Sequence, residues 1–178
     1  SMKFDYVIGN PPYQEVDGGS GASATPVYNK FIEETKTLNP TAMSFIIPAK
    51  WYSGGKGLDK FREQMLNDKR MAVLVDYPNS LDVFPNVDVA GGVCYFVWAK
   101  SHEGKCYYIN YQDGVKTSEY RDLNEFSTFI RYPIAAEIVK KVRLKGEQTL
   151  DTIVSSRKPF GLATNVKPLK AGDIQLTV

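Results

Sequence analysis

Residues 4–8, Phe-Asp-Tyr-Val-Ile, form an aromatic and β-branched run that predicts a short strand, and Gly9 followed after Asn10 by two prolines forbids its continuation. Residues 14–24, rich in Gly and Ser, predict a mobile loop. Thr25 followed by Pro26 predicts a helix start, an N-cap before Pro at the first helical position, with Val27, Tyr28, Phe31, Ile32 and Leu38 as the apolar face. Asn39-Pro40 stops that helix. Residues 42–47 predict a second buried strand, ended by Pro48-Ala49-Lys50-Trp51. Leu58, Phe61, Met65 and Leu66 mark another helix, and residues 71–75 a third strand. Apolar runs at 93–99 and 106–111 predict two more strands. Residues 133–144 place Ile134, Ala135, Ile138, Val139 and Val142 beside Lys140, Lys141 and Arg143, the pattern of an amphipathic helix with a basic face. Alternating strands and helices predict a parallel α/β sheet, whose ligands lie at the carboxyl ends of strands. Asn10 and Trp51 both fall at such ends.

The end of the first strand carries the most specific chemistry. Pro12 pushes Pro11 toward an extended conformation, and neither proline has an N–H, so the local carbonyls have no ladder partner of their own. Asn10 adds a side-chain carbonyl and Tyr13 a flat aromatic face. One rigid turn therefore offers two acceptors for an amino group and a platform for a ring, an arrangement that fits a planar, amine-bearing base. The stretch Gly19-Ser20-Gly21-Ala22-Ser23-Ala24 formally matches a glycine-rich phosphate fingerprint, but no strand leads directly into it and no βαβ unit frames it. It reads better as a lid beside the base pocket.

Asn10-Pro11-Pro12-Tyr13, preceded by an apolar strand with an Asp near its start, resembles the catalytic motif of amino-group DNA methyltransferases, above all the adenine-specific enzymes of restriction-modification systems. The segments Val83-Phe84-Pro85 and Ile46-Ile47-Pro48-Ala49-Lys50-Trp51 resemble further parts of that family in the family's order, covering most of the first hundred residues. The resemblance implies a partial Rossmann-like, S-adenosylmethionine-dependent methyltransferase fold: the catalytic half of the sheet, with an antiparallel hairpin strand. It implies a target adenine flipped out of double-stranded DNA, its amino group bonded by the Asn10 side chain and the Pro11 carbonyl, its ring stacked on Tyr13 and packed against Phe84. Pro12 completes the motif. Asn10 and Pro11 would also form part of the cofactor site.

The family's glycine-rich loop after a first strand, and the acidic residues that follow it, do not precede Asn10, and no strand followed by Gly-x-Gly and a helix is read between Gly114 and Val178. The chain is therefore expected to be a fragment, with residues 1–147 as the catalytic half of the methyltransferase domain and 148–178 opening a target-recognition region. A permuted order, with the cofactor half after the recognition region, stays open. Lys50, Arg157 and Lys158 are the candidate DNA contacts, and a restriction nuclease domain or subunit is an implied partner. The alternative is a non-catalytic nucleic-acid-binding module or restriction subunit on a remnant methyltransferase fold. Methylation of RNA or of protein amides is a third reading, since the same acceptor turn serves any planar amine.

Composition adjusts this picture only slightly. A length of 178 residues supports one sizeable core, and a formal charge of +2 neither requires nor opposes a nucleic-acid partner. Cys94 and Cys106 lack metal-ligand spacing and read as buried thiols, so no metal is expected. His102, the sole histidine, falls in a charged turn and is a poor catalyst candidate. With no long apolar span and no secretory leader, the reading is a soluble protein of the bacterial cytoplasm with no membrane partner. The apolar strand 4–8 would be an exposed edge in a fragment, which invites self-association.

Overall fold

The apolar runs become strands of one mixed sheet in the computed structural model, which describes residues 3–15, 25–148, 150 and 153–154. The elements in chain order are β1 (Tyr6–Gly9), α1 (Tyr28–Thr37), β2 (Ala42–Pro48), α2 (Asp59–Asn67), β3 (Met71–Tyr77), β4 (Val93–Ala99), β5 (Cys106–Gln112), β6 (Val115–Arg121) and α3 (Pro133–Leu144). The chain divides into two compact units, Ser1–Ile138 and Val139–Val178, and the sheet lies in the first.

The strand order is β1-β2-β4-β3-β5-β6. β1 runs parallel to β2 and β3 parallel to β5. β4 lies antiparallel between β2 and β3, in register from Ala42↔Ala99 to Pro48↔Val93 on the β2 side. β2 and β3 thus point the same way, so β1, β2, β3 and β5 all deliver their carboxyl ends to one edge. The expected α/β sheet with an antiparallel hairpin strand is present, β3 and β4 being that hairpin. The sheet is mixed rather than wholly parallel, because the chain returns through β4 before β5 is laid down.

Alternation along the strands sets the core. Met43, Phe45 and Ile47 of β2, Leu74 of β3, Phe96 and Trp98 of β4 and Tyr108 of β5 join Tyr28 and Ile32 of α1 and Phe61, Met65 and Leu66 of α2 in one buried cluster. Both helices therefore cover the same face. The other face presents tyrosines: Tyr77 stacks on Tyr111 with rings 4.8 Å apart and parallel within 1°, and Tyr95 extends the row at 6.3 Å from Tyr77. β1 is an edge strand whose Tyr6 and Ile8 are exposed.

Three expectations are corrected by the structure. α1 begins at Tyr28 with Val27 as its uncapped N-cap, because Pro26 is drawn into an antiparallel bridge with Gln14 instead of opening the helix. Its buried residues are Tyr28, Ile32 and Thr35, with Phe31 and Leu38 exposed, since the helix rotates to follow the i, i+4, i+7 row. α3 has the expected bounds, but its one buried residue is Ala136, while Ile134 and Ile138 are exposed.

β6 is an element that the hydrophobic pattern misses, because its residues alternate weakly and most are exposed. The signal was the turn: Asp113 and Gly114, at φ 51° and 77°, make the two-residue left-handed turn that an Asp-Gly pair favours between antiparallel strands.

Candidate functional site

The turn after β1 is held at both ends. Gly9 stays in register with Phe45 of β2, and beyond the prolines the Glu15 amide donates to the Thr25 carbonyl at 3.0 Å and the Val27 amide to the Tyr13 carbonyl at 3.3 Å. Pro11 is buried between these anchors while Asn10 and Pro12 are exposed. Among the described residues the Asn10 side chain has no intramolecular hydrogen bond, so its amide oxygen remains available as an acceptor. Tyr13 is half-buried, and its hydroxyl is enclosed without a partner among the described residues. Burial, with a smaller effect of Cys94, pushes that hydroxyl above the ordinary tyrosine range.

Phe84 arrives from the long β3–β4 connection. Ser80, itself buried, folds that loop: its Oγ donates to the Val87 carbonyl at 3.0 Å and accepts from the Val89 amide at 2.7 Å. The Phe84 amide donates to the Ser80 carbonyl at 2.8 Å, and the Asn79 side chain accepts from the Leu81 amide at 3.2 Å. The loop closes at Gly92, whose φ of +81° and whose 2.1 Å approach of a would-be Cβ to the Tyr77 carbonyl admit no side chain. The Gly92 carbonyl accepts from the Ala49 amide at 3.0 Å, tying the loop to the segment after β2.

Together these segments line a shallow, open cavity of about 400 Å³ bordered by Asn10, Pro11, Pro12, Tyr13, Phe84 and Val87. The two parts of the expected base pocket, more than seventy positions apart in sequence, thus share one cavity at the carboxyl edge of the sheet. A second cavity of about 320 Å³ lies alongside, lined among others by Tyr13, Tyr28, Lys50, Lys56, Val87 and Asp88. Tyr13 and Val87 belong to both and form the partition. Lys50 is exposed at the second cavity rather than the first. Trp51 is fully buried in the core and Arg157 and Lys158 lie outside the described residues, as do positions 16–24 of the expected lid.

A buried polar cluster that no sequence motif announces supports the loop from behind. Asp76, fully buried at the end of β3, accepts from Arg131 Nε at 2.8 Å and Nη2 at 2.6 Å and from Asn110 Nδ2 at 2.8 Å. The Tyr108 hydroxyl lies 3.0 Å from the same carboxylate and 2.6 Å from the Arg131 carbonyl, with one proton to share between them. Arg131 Nη1 donates to the Gly91 carbonyl at 2.9 Å, so the guanidinium clamps the loop's last turn to β3. Burial works against the Arg131 charge, but the hydrogen bond and charge of Asp76 outweigh it and hold the side chain more firmly protonated than usual. A polar residue inside an apolar strand, Asp76 in Val73-Leu74-Val75-Asp76, was the available signal.

Cys94 lies beneath the site with its thiol pushed up to about 12, by burial first and by the Asp76 charge second. Among the described residues no group of three or more His, Cys, Asp or Glu side chains is placed to hold a metal ion, and no helix is long and apolar enough to cross a membrane.

Comparison with known proteins agrees with the resemblance read from the turn after β1. Residues 1–84 match the Eco57I restriction-modification methylase family. A protein of Mycoplasma pneumoniae described as an uncharacterized adenine-specific methylase is 35% identical over 107 residues, covering 58% of this chain and 25% of the relative. Among solved structures, a type I restriction-modification system methyltransferase subunit from Streptococcus thermophilus has a TM-score of 0.46 at 14% identity, over 83% of this chain and 33% of the other. A modification subunit of a type I restriction enzyme from Vibrio vulnificus has a TM-score of 0.43 at 12% identity, over 83% and 32%. The chain thus spans about a quarter of the length of the curated relative it matches.

Proposed function

We propose that this chain carries the base-handling part of a DNA adenine methyltransferase, which moves a methyl group from S-adenosylmethionine to the exocyclic amino group of an adenine flipped out of double-stranded DNA, within a restriction-modification system. The observation that supports this reading best is the convergence of Asn10, Pro11 and Tyr13 with Phe84 on one cavity. Two acceptors and two aromatic side chains are what a planar, amine-bearing ring requires.

The amino nitrogen of adenine is a weak nucleophile because its lone pair is delocalised into the ring. The Asn10 side-chain oxygen and the Pro11 carbonyl accept its two N–H bonds, localise the lone pair and stabilise the positive charge that grows on nitrogen. By analogy with oxyanion-hole donors, each such group contributes about 3 kcal/mol. Stacking on Tyr13 contributes about 1–3 kcal/mol, comparable with the few kcal/mol needed to unstack the base. Phe84 borders the same cavity and offers the ring a second aromatic contact.

Asn10 and Pro11 would form one wall of the S-adenosylmethionine site. Asn10 and Pro11 do not make up that site by themselves, and the chemistry assigned to them ends at binding and polarising the amine. Residues 148–178 would open the target-recognition region, with Arg157 and Lys158 on the DNA backbone, and a restriction nuclease domain or subunit would be the partner.

In the whole protein that contains this segment, Asn10→Ala should remove most methyl transfer, measured with labelled S-adenosylmethionine on adenine-containing duplex, and leave DNA binding largely intact. Equal loss of both would sink the assigned role. Tyr13→Ala should reduce the fluorescence rise of 2-aminopurine at the target position, and an unchanged rise would contradict base capture.

A further inference from the structure

The loop that brings Phe84 and Val87 to the base cavity is not held by apolar burial alone. Leu81 and Val87 are 44% and 52% exposed, and Val83 and Phe84 are only half-buried. Hydrogen bonds supply the missing constraint, and three of them close a ring. The Phe84 amide donates to the Ser80 carbonyl at 2.8 Å, the Val87 amide to the Phe84 carbonyl at 3.0 Å, and the Ser80 Oγ to the Val87 carbonyl at 3.0 Å. The two residues that this ring joins to Ser80 are the two that the loop contributes to the cavity.

Two links of the ring are backbone bonds, and the third is the Ser80 hydroxyl. Ser80 is 1% exposed, and its Oγ also accepts from the Val89 amide at 2.7 Å, so one side chain bridges both flanks of Asp88. Beyond that point the loop is fixed by other bonds: the Gly92 amide donates to the Val89 carbonyl at 2.8 Å, and the Gly92 carbonyl accepts from the Ala49 amide at 3.0 Å. Before it, Ser80 follows closely on β3, which ends at Tyr77. The hydroxyl therefore ties the loop tip at the cavity to the end of β3. Of the three links, it is the one that a side-chain substitution removes.

We infer that Ser80 is a positioning residue for base capture: its hydroxyl sets Phe84 and Val87 where, opposite Asn10, Pro11 and Tyr13, they border a planar base. The inference rests on the functional reading above, and it gives Ser80 no contact with the base or with the transferred methyl group. Loss of the hydroxyl leaves the acceptors of Asn10 and Pro11 and the ring of Tyr13 in place, and loosens the border that faces them. An extruded base is then held less well, while methyl transfer to a base already seated is unchanged. Extrusion costs least for a base that is unpaired to begin with, so the defect depends on pairing at the target.

The test uses the whole protein that contains this segment, as wild type, Ser80→Ala and Asn10→Ala. Single-turnover transfer from labelled S-adenosylmethionine is followed on two duplexes, one with the target adenine paired to thymine and one with it opposite an abasic position. Ser80→Ala should act about tenfold more slowly on the paired target, about the net contribution of one hydrogen bond, and within about twofold of wild type on the unpaired one. It should also show a smaller fluorescence rise of 2-aminopurine at the paired target position. In the 178-residue chain, the Val89 amide should exchange faster in Ser80→Ala while the Phe96 amide of β4 exchanges as in the wild type, which separates a loosened loop from a damaged sheet. Equal slowing on both duplexes, or wild-type rates on both, would overturn the positioning role. Asn10→Ala, which removes an acceptor rather than a support, should be slow on both duplexes. If Asn10→Ala transfers methyl as the wild type does, the base site itself is rejected and the role of Ser80 with it. If Asn10→Ala is slow on both and Ser80→Ala shows no preference for the unpaired target, the base site stands and the role of Ser80 alone is rejected.

Discussion

Replacing Arg131 by Met asks how strongly the buried cluster holds the site loop. The guanidinium is 19% exposed and Asp76 is 0% exposed, and the substitution removes both contacts to the carboxylate, at 2.8 and 2.6 Å, together with the bond to the Gly91 carbonyl. Asn110 and a share of the Tyr108 proton remain on Asp76, too little to balance a full charge out of water. Breaking a buried ion pair from one side costs about 3–5 kcal/mol, and the exposed bond to Gly91 adds about 0.5–1 kcal/mol. The expected loss is therefore about 4 kcal/mol, a large part of the stability of a domain of this size. Urea unfolding is a direct assay, because Trp51 and Trp98 are both buried and report the core. Asp76→Asn should cost less, since Arg131 still reaches water, and the double variant should fall short of the sum by about 2 kcal/mol. The loop should respond locally as well, the Gly92 amide, which donates to the Val89 carbonyl at 2.8 Å, exchanging faster in Arg131→Met. A cost under about 1 kcal/mol, or strict additivity in the double variant, would refute the clamp.

Asp68 offers a pH test: burial acts to raise its carboxyl, but hydrogen bonds from Arg70, Lys36 and Trp98 outweigh it and hold the group well below the ordinary 3.8. A carboxyl depressed in the folded state contributes stability that is full above its unfolded value and is lost as pH falls below it, so acid unfolding should steepen below about pH 3.8, and Asp68→Asn should flatten that limb in a urea series; parallel limbs would contradict the assignment. Cys94 and Cys106, both buried with thiols pushed up to about 12, should resist a disulfide reagent at pH 8 and react fully in urea, and rapid native labelling would count against the packing. The edge strand β1, with Ile8 83% exposed, should drive self-association that Ile8→Lys reduces, and a clean wild-type monomer by light scattering at high concentration would reject that edge as the cause.

Legibility in the sequence followed the physics of each segment. β4 and α3 were readable to the residue because turns or chain breakers flank continuous patterns, and the turn after β1 was readable because two prolines leave the backbone few choices. The pairing of Phe84 with Asn10 and Tyr13 rested on a family resemblance, since nothing local to either segment says that β3 and β1 end on the same side of the sheet. The start of α1 was misplaced because Thr25-Pro26 satisfies the local rules for a helix start, and only the bridge between Gln14 and Pro26 overrides them. The Asp76–Arg131 clamp was only half legible for a related reason: Asp76 stands out in an apolar strand, but its partner comes from the approach to α3, and burial, which makes the pair matter, is a tertiary property.

The position of β4 also governs the order in which the molecule assembles. β2 and β3 never touch as neighbours; each waits for the strand that the chain supplies last among the three, and β4 must enter an open slot with partners on both flanks. Loop-closure entropy is spent before these long-range pairings give any return, so this insertion is expected to be a late, slow step of folding. Because Phe84 and Val87 ride on the connection that β4 drags into place, the cavity forms in the same event. Intermediates with β2 and β3 built but β4 unplaced would carry the Asn-Pro-Pro-Tyr turn without Phe84 and Val87 beside it, and the cavity would appear all at once with the final closure of the sheet.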